Sequence, residues 1–377
     1  MCFFMVTLDI AMPLALLAVS AAALFFNERT EGKLKTTFEE RELRTRDVVM
    51  LVVMIVVAVS IVGYISILYP GQLFQTVILL VFLFSYSMLL FIFSYLFSDL
   101  KQKRAQLFSL GFAVAGLLAG TVSLLEPLAD DLTVFRALAF FGFAVFAFAS
   151  MVVDSRKAEA KERWYLAVQP PALFVLLFGF FSVAYTGSAV VWFPVLMDVF
   201  GLTFAVLIIL YLGSMFTWKT VGVFAVLLTI VDIILVIGTG TMVDAADTFR
   251  GLGLPVLVYL PNVPLIAVPA DYTGLTFFGY APRGLGLGDF FFAGILALQT
   301  YKRFGKKTAY ISIVAMTVAF AVWEAFLPEI LYVLDQIVGR EIGGFPGTLM
   351  IISGWVPVIV WQLLKARSMP KVQQTDA

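Results

Sequence analysis

Residues 219–240 read KTVGVFAVLLTIVDIILVIGTG: a lysine, then a long apolar run interrupted by a single acid, Asp232. At 1.5 Å per residue, a helix of this length crosses the roughly 30 Å hydrocarbon core of a bilayer. Working outward, the same kind of block recurs along the chain. Between charge clusters lie eleven candidate spans, near 3–26, 48–69, 72–97, 107–126, 132–153, 167–188, 192–213, 219–240, 285–301, 308–329 and 345–364. The composition agrees: 62% of the 377 residues are hydrophobic and 13% charged, against about 25% charged in a soluble domain. The expected fold class is therefore an all-α polytopic membrane protein, with the lipid bilayer as its first partner. A net charge of zero argues against nucleic acid as another.

The basic residues give an independent check on the span order. With eleven spans and the N-terminus outside, every Lys and Arg falls on the inner side except Arg136, Arg250, Arg283 and Arg340. That asymmetry is what the positive-inside rule requires, and it predicts an N-out, C-in cell-membrane protein. The first block contains Asp9 and lacks a basic leader, so it is expected to be a retained helix. Residues 241–284 break the rhythm with Pro255, Pro261, Pro264, Pro269 and Pro282. Their short apolar runs, 256–260 and 263–268, predict extended segments at the outer surface. The whole of 1–377 is read as one membrane domain, with N-terminal helices over 1–190. A core follows over 191–377, carrying the 241–284 outer loop.

Two absences narrow the chemistry. There is no histidine, which removes a Ser–His pair and an HExxH zinc site. The single cysteine, Cys2, allows neither an intrachain disulfide nor a thiolate cluster. Hydrolysis, if present, must rest on carboxylates or, as the alternative, on lysine, and a bare acidic pair implies no metal and no cofactor beyond water. Of the acids in or near spans, Asp9, Glu126 and Asp198 lie near outer ends and read as interfacial side chains, and Glu324 reads as a structural hydrogen-bonding group.

Asp232 and Asp289 differ because their depths match. Asp232 lies thirteen residues beyond Lys219, and Asp289 thirteen before Lys302. Both are placed about 20 Å above the inner surface, on consecutive antiparallel spans. A carboxylate deep in a membrane usually has a job or a partner. Two that meet in low dielectric share a proton, so one can accept a proton from water while the other donates to a carbonyl. Three glycines precede Asp289 in Arg283-Gly284-Leu285-Gly286-Leu287-Gly288-Asp289-Phe290, allowing close backbone approach. A proton-coupled transporter would also use paired acids, although no inverted repeat is detectable.

Gly286-Leu287-Gly288-Asp289 resembles the GLGD signature of the presenilin and signal peptide peptidase family of intramembrane aspartyl proteases. Val231-Asp232-Ile233-Ile234, with Thr241-Met242-Val243 and Pro255-Val256-Leu257 following, resembles that family's first aspartate helix and the segment after it. The likeness covers roughly 219–364 and is closest to archaeal presenilin-like members. It implies a presenilin-like helical bundle of about nine core spans, here with two extra N-terminal ones. It also implies an aspartic endopeptidase with Asp232 and Asp289 as catalytic residues and transmembrane peptides or proteins as substrates. The outer loop between the aspartates is similar to signal peptide peptidases, which implies N-in substrates such as signal-peptide remnants. The family's third motif, Pro-Ala-Leu, has its counterpart in Pro346-Gly347-Thr348-Leu349, where Gly-Thr replaces Ala-Leu. Val231 stands where the family usually has tyrosine, and a literal Pro171-Ala172-Leu173 occurs too early in the chain. A prepilin-type peptidase is disfavoured by Phe290-Phe291-Phe292 after the acid. By the same resemblance, the 241–284 segment flanks the site and pairs as strands with an unwound substrate.

Overall fold

The computed structural model describes residues 9–37, 42–68, 72–125, 130–155, 163–180, 193–251, 255–261, 282–340 and 342–368. Its helices, in order, are α1 (Ala11–Thr37), α2 (Thr45–Leu68), α3 (Gln72–Leu96), α4 (Gln102–Leu125) and α5 (Asp130–Ser155). Then come α6 (Trp164–Ala167), α7 (Gln169–Phe178), α8 (Phe193–Met215), α9 (Trp218–Ile233) and α10 (Thr241–Gly251). Strands β1 (Leu257–Pro261) and β2 (Pro282–Gly286) precede α11 (Leu287–Phe304), α12 (Lys306–Ala325), α13 (Leu327–Val338) and α14 (Gly347–Ser368).

Among the described residues, nine helices are long and apolar enough to cross a membrane, as a multi-pass protein requires. The other two expected spans differ for identifiable reasons. The block at 167–188 is described as helix only in the short α6–α7 pair, and 181–192 lie outside the described residues. The block at 285–301 starts as strand, and its helix holds Asp289, Lys302 and Arg303 within 18 residues. The first helix also runs on to Thr37, well beyond the expected end at 26.

The chain forms two compact units. In one, made of α3 to α7, α4 and α5 lie together through Gly116 and Gly120 of α4. A Cβ on Gly120 would come within 2.6 Å of the Phe141 ring, so the small residues set the helix separation. Tyr86 stacks on Phe174 at 4.1 Å. Gln169 Nε2 donates to Ser109 Oγ (3.0 Å) and Arg136 Nη2 to the Ser123 carbonyl (2.7 Å), which satisfies buried donors in an apolar setting.

The other unit comprises α1, α2, α8 from Asp198 onward, and everything from α9 to α14 apart from the undescribed loop residues. Its axis is α11, which packs against α1, α9, α12 and α14. Every residue from Phe290 to Thr300 is buried. This centrality accounts for the polar residues on α11: Gln299 Nε2 donates to the Gly213 carbonyl (3.0 Å), and Thr300 Oγ1 accepts from Trp355 Nε1 (2.9 Å). Gly294 is pressed against Ile209, and Gly213 against Leu298.

Charges gather at opposite ends of this unit. At one end Lys302 pairs with Glu31 (3.0 Å), Lys306 with Glu28 (3.2 Å), and the Leu43 amide donates to the Met215 carbonyl (2.9 Å). At the other, Arg283 pairs with Glu324 (3.7 Å) and Arg340 Nη2 donates to the Ile237 carbonyl (2.8 Å). The same sorting is expected from the order of the basic clusters along the sequence.

Helices α12 and α14 meet where Gly354 lies on the main chain of Ala315, leaving no room for a side chain. The backbone there cannot rotate aside, so overpacking costs about 1–3 kcal/mol. Gly354→Ala is therefore expected to lower the unfolding temperature in detergent. Gly142→Ala, with nothing within 4 Å of the added methyl, is expected to hold or raise it, because alanine favours the helix over glycine.

Candidate active site

Asp232 sits in the last turn of α9, and the backbone then widens into a π-helical stretch, Ile234–Thr239. Such stretches are uncommon and cluster at functional sites. Gly240 ends it at φ +77°, a left-handed conformation that glycine adopts at no steric cost. Arg340 covers this end, with its guanidinium on the Ile237 carbonyl.

Asp289 reaches the same place by a different route. β1 and β2 form an antiparallel pair in the register Val258↔Leu285 and Leu260↔Arg283, extended by the Leu287 amide donating to the Val256 carbonyl (2.9 Å). The chain leaves β2 at Gly286, which is still extended (φ −65°, ψ 143°), and turns into α11. Asp289 is thus in the first turn of a helix rather than in the middle of one, where the amide ends favour negative charge. Gly286 caps that turn, Leu287 is buried with its side chain close to Gly201, and Gly288 is exposed with open space where a Cβ would be.

The start of α14 joins the two acids. Pro346 is buried just before it, and the two following residues each meet one carboxyl group. A Cβ on Gly347 would lie 2.5 Å from Asp289 Cγ, so only glycine allows this approach. Thr348 Oγ1 donates to Asp232 Oδ2 at 2.6 Å, and the Thr348 amide donates to the same oxygen at 3.3 Å. Asp232 and Asp289 are close enough for the charge of one to act on the other. Leu349 is half-buried, and its amide bonds back to the Pro346 carbonyl (3.2 Å). Pro171-Ala172-Leu173 opens α7 in the other unit.

The remaining acids turn out to be anchors. Asp198, expected at the interface, is buried and accepts the Tyr259 amide of β1 at 2.7 Å. A carboxylate so placed takes up the outward-facing edge of β1, and an acid within an otherwise apolar block was the signal for such a task. Glu324 holds Arg283 of β2, which stabilises the strand leading to Asp289. Asp9 caps α1 through the Ala11 amide (3.0 Å). Of the extended runs, 256–260 is realised as β1, whereas 263–268 and Glu126 lie outside the described residues. Among those residues, no group of three or more Cys, Asp or Glu has the arrangement of a metal site.

The closeness of Gly347 and Asp289 has a thermodynamic signature. A methyl added at Gly347 pushes the end of a flexible carboxylate, a rearrangement of about 0.5–1.5 kcal/mol. A double-mutant cycle of Gly347→Ala with Asp289→Ala is therefore expected to show coupling of about that size in detergent unfolding. The cycle of Gly347→Ala with Asp198→Ala is expected to be additive.

The chain matches no protein-family model, and no curated protein matches it.

Proposed function

We propose that this chain is an intramembrane aspartyl protease of the presenilin and signal peptide peptidase kind, with Asp232 and Asp289 as its catalytic pair. The observation that carries the reading is the corner at Gly347-Thr348, where consecutive residues meet the two carboxyl groups. One acid takes a proton from water as the water oxygen attacks the scissile carbonyl carbon. The other gives its proton to the carbonyl oxygen. Collapse of the resulting gem-diol breaks the C–N bond: the amine takes a proton from the first acid, and a diol proton returns to the second. The pair ends as it began, and no metal or cofactor enters the balance.

The strand before Asp289 supports a peptide substrate. In the observed register, the main-chain groups of Gly284 and Gly286 point away from β1. Gly284 is exposed, and no described backbone group pairs with this outer edge of β2. A transmembrane helix hides its peptide bonds in its own hydrogen bonds. A substrate laid along β2 as a strand exposes them, on an edge that leads within three residues to Asp289. β1, by contrast, has one edge on β2 and its other edge engaged by Asp198. The distribution of basic residues favours an N-out, C-in orientation. The loop between the acids then lies outside, which suits N-in substrates such as signal-peptide remnants.

The test uses the purified chain in lipid with a helical substrate oriented N-terminus inward, its products read by mass spectrometry. Wild type is expected to cut within the membrane span. Asp232→Asn and Asp289→Asn, still folded, are each expected to lose at least about 100-fold in rate. Retention of cleavage by either variant contradicts the pair.

A further inference from the structure

The two acids are not held alike, and the difference lies in one side chain. Asp232 Oδ2 faces two donors, the Thr348 hydroxyl at 2.6 Å and the Thr348 amide at 3.3 Å. An amide nitrogen cannot accept a hydrogen bond, so an Oδ2 lying against it serves as an acceptor and not as the seat of a proton. Both donors belong to the first turn of α14, and Asp289 itself lies in the first turn of α11, so helix amide ends favour charge on both acids alike and the hydrogen bonds alone separate them. Asp289 is bordered by Gly347 on one side and by Gly286, next to its Oδ2, on the other. Among the described residues, no hydrogen bond reaches its carboxyl group. A carboxylate that accepts two hydrogen bonds holds its charge better than a neighbour that accepts none.

We propose that Thr348 is a positioning residue that fixes Asp232 as the proton-accepting member of the pair and leaves Asp289 as the donor. The inference rests on the proteolytic reading above and deepens it by giving each acid one role. Held by Oδ2, Asp232 presents Oδ1 to the attacking water, and Asp289 delivers its proton to the carbonyl oxygen. The family motif that this corner resembles carries leucine at the position of Thr348 and has no hydroxyl there. The division of labour is therefore a property of this chain's own side chain, not of the motif.

The experiment compares the full-length chain in lipid with Thr348→Val, which keeps the shape and removes the hydroxyl, and Thr348→Ser, which keeps the hydroxyl and removes the methyl. Thr348→Val is expected to lower kcat about tenfold or more with KM within about twofold, since the hydroxyl acts on the reacting acid and not on the substrate. Thr348→Ser is expected to stay within about threefold of wild type in both. Detergent unfolding establishes that each variant is folded. Should Thr348→Val prove unstable, Thr348→Ala replaces it, with the same order expected: serine well above alanine. Unimpaired Thr348→Val overturns the role, as does a serine variant as slow as valine, because then only packing matters. A wild type that cleaves no helical substrate overturns the proteolytic reading itself, and that outcome is distinct from a cleaving wild type whose valine variant is equally fast.

Discussion

A carboxylate removed from water needs hydrogen-bond donors or a partner, and in this chain both needs meet at the peptide between Gly347 and Thr348. Thr348 supplies two donors to Asp232, and Gly347 supplies the space in which Asp289 comes alongside. Neither residue acts without the helix that carries it. α14 is held on α12 at Gly354, where two backbones touch, and on α11 through the Trp355–Thr300 hydrogen bond. The corner is thus the end of a helix packed on two others, a firmer support for two juxtaposed acids than a loop.

The surrounding structure converges on the same point from three directions. α9 delivers Asp232 and then departs from regular helix, its end closed by Gly240 and Arg340. The β1–β2 pair delivers Asp289 at the junction of strand and helix, steadied by Asp198 on β1 and Glu324 on Arg283. α11 passes between its neighbours with Phe290 to Thr300 buried and Gln299 and Thr300 hydrogen-bonded internally. The outcome is a polar site in an otherwise apolar bundle, beside a strand edge that no described backbone group pairs with.

Much of this was legible in the sequence because the bilayer imposes a ruler. Lys219 and Lys302 mark one end of two helices, and equal spacing from them places Asp232 and Asp289 at one depth. The Arg283–Asp289 glycines signalled an unusual backbone, and β2 running into α11 is that feature. Other elements left no such trace. Apolar blocks look alike whether they face lipid or core, so the central place of α11 leaves no mark in the sequence, and its charged ends even make it less apolar than its neighbours. Asp198 resembled an interfacial acid because its partner, the Tyr259 amide, is sixty-one residues away. Thr348 read as a departure from a motif, since a hydroxyl's partner depends on packing between helices that sequence spacing does not encode.

The central claim, that Asp232 and Asp289 face one another at the start of α14, can be tested without any substrate. The chain has a single cysteine, Cys2, so a Cys2→Ser background carries only the thiols placed in it. Asp232→Cys with Asp289→Cys would be treated in lipid with a short bifunctional thiol reagent and the digest analysed by mass spectrometry. The account predicts an efficient intramolecular bridge between the two positions and none between Asp198→Cys and Asp232→Cys. Absence of the 232–289 bridge, while a control pair at 232 and 348 is bridged, would contradict it.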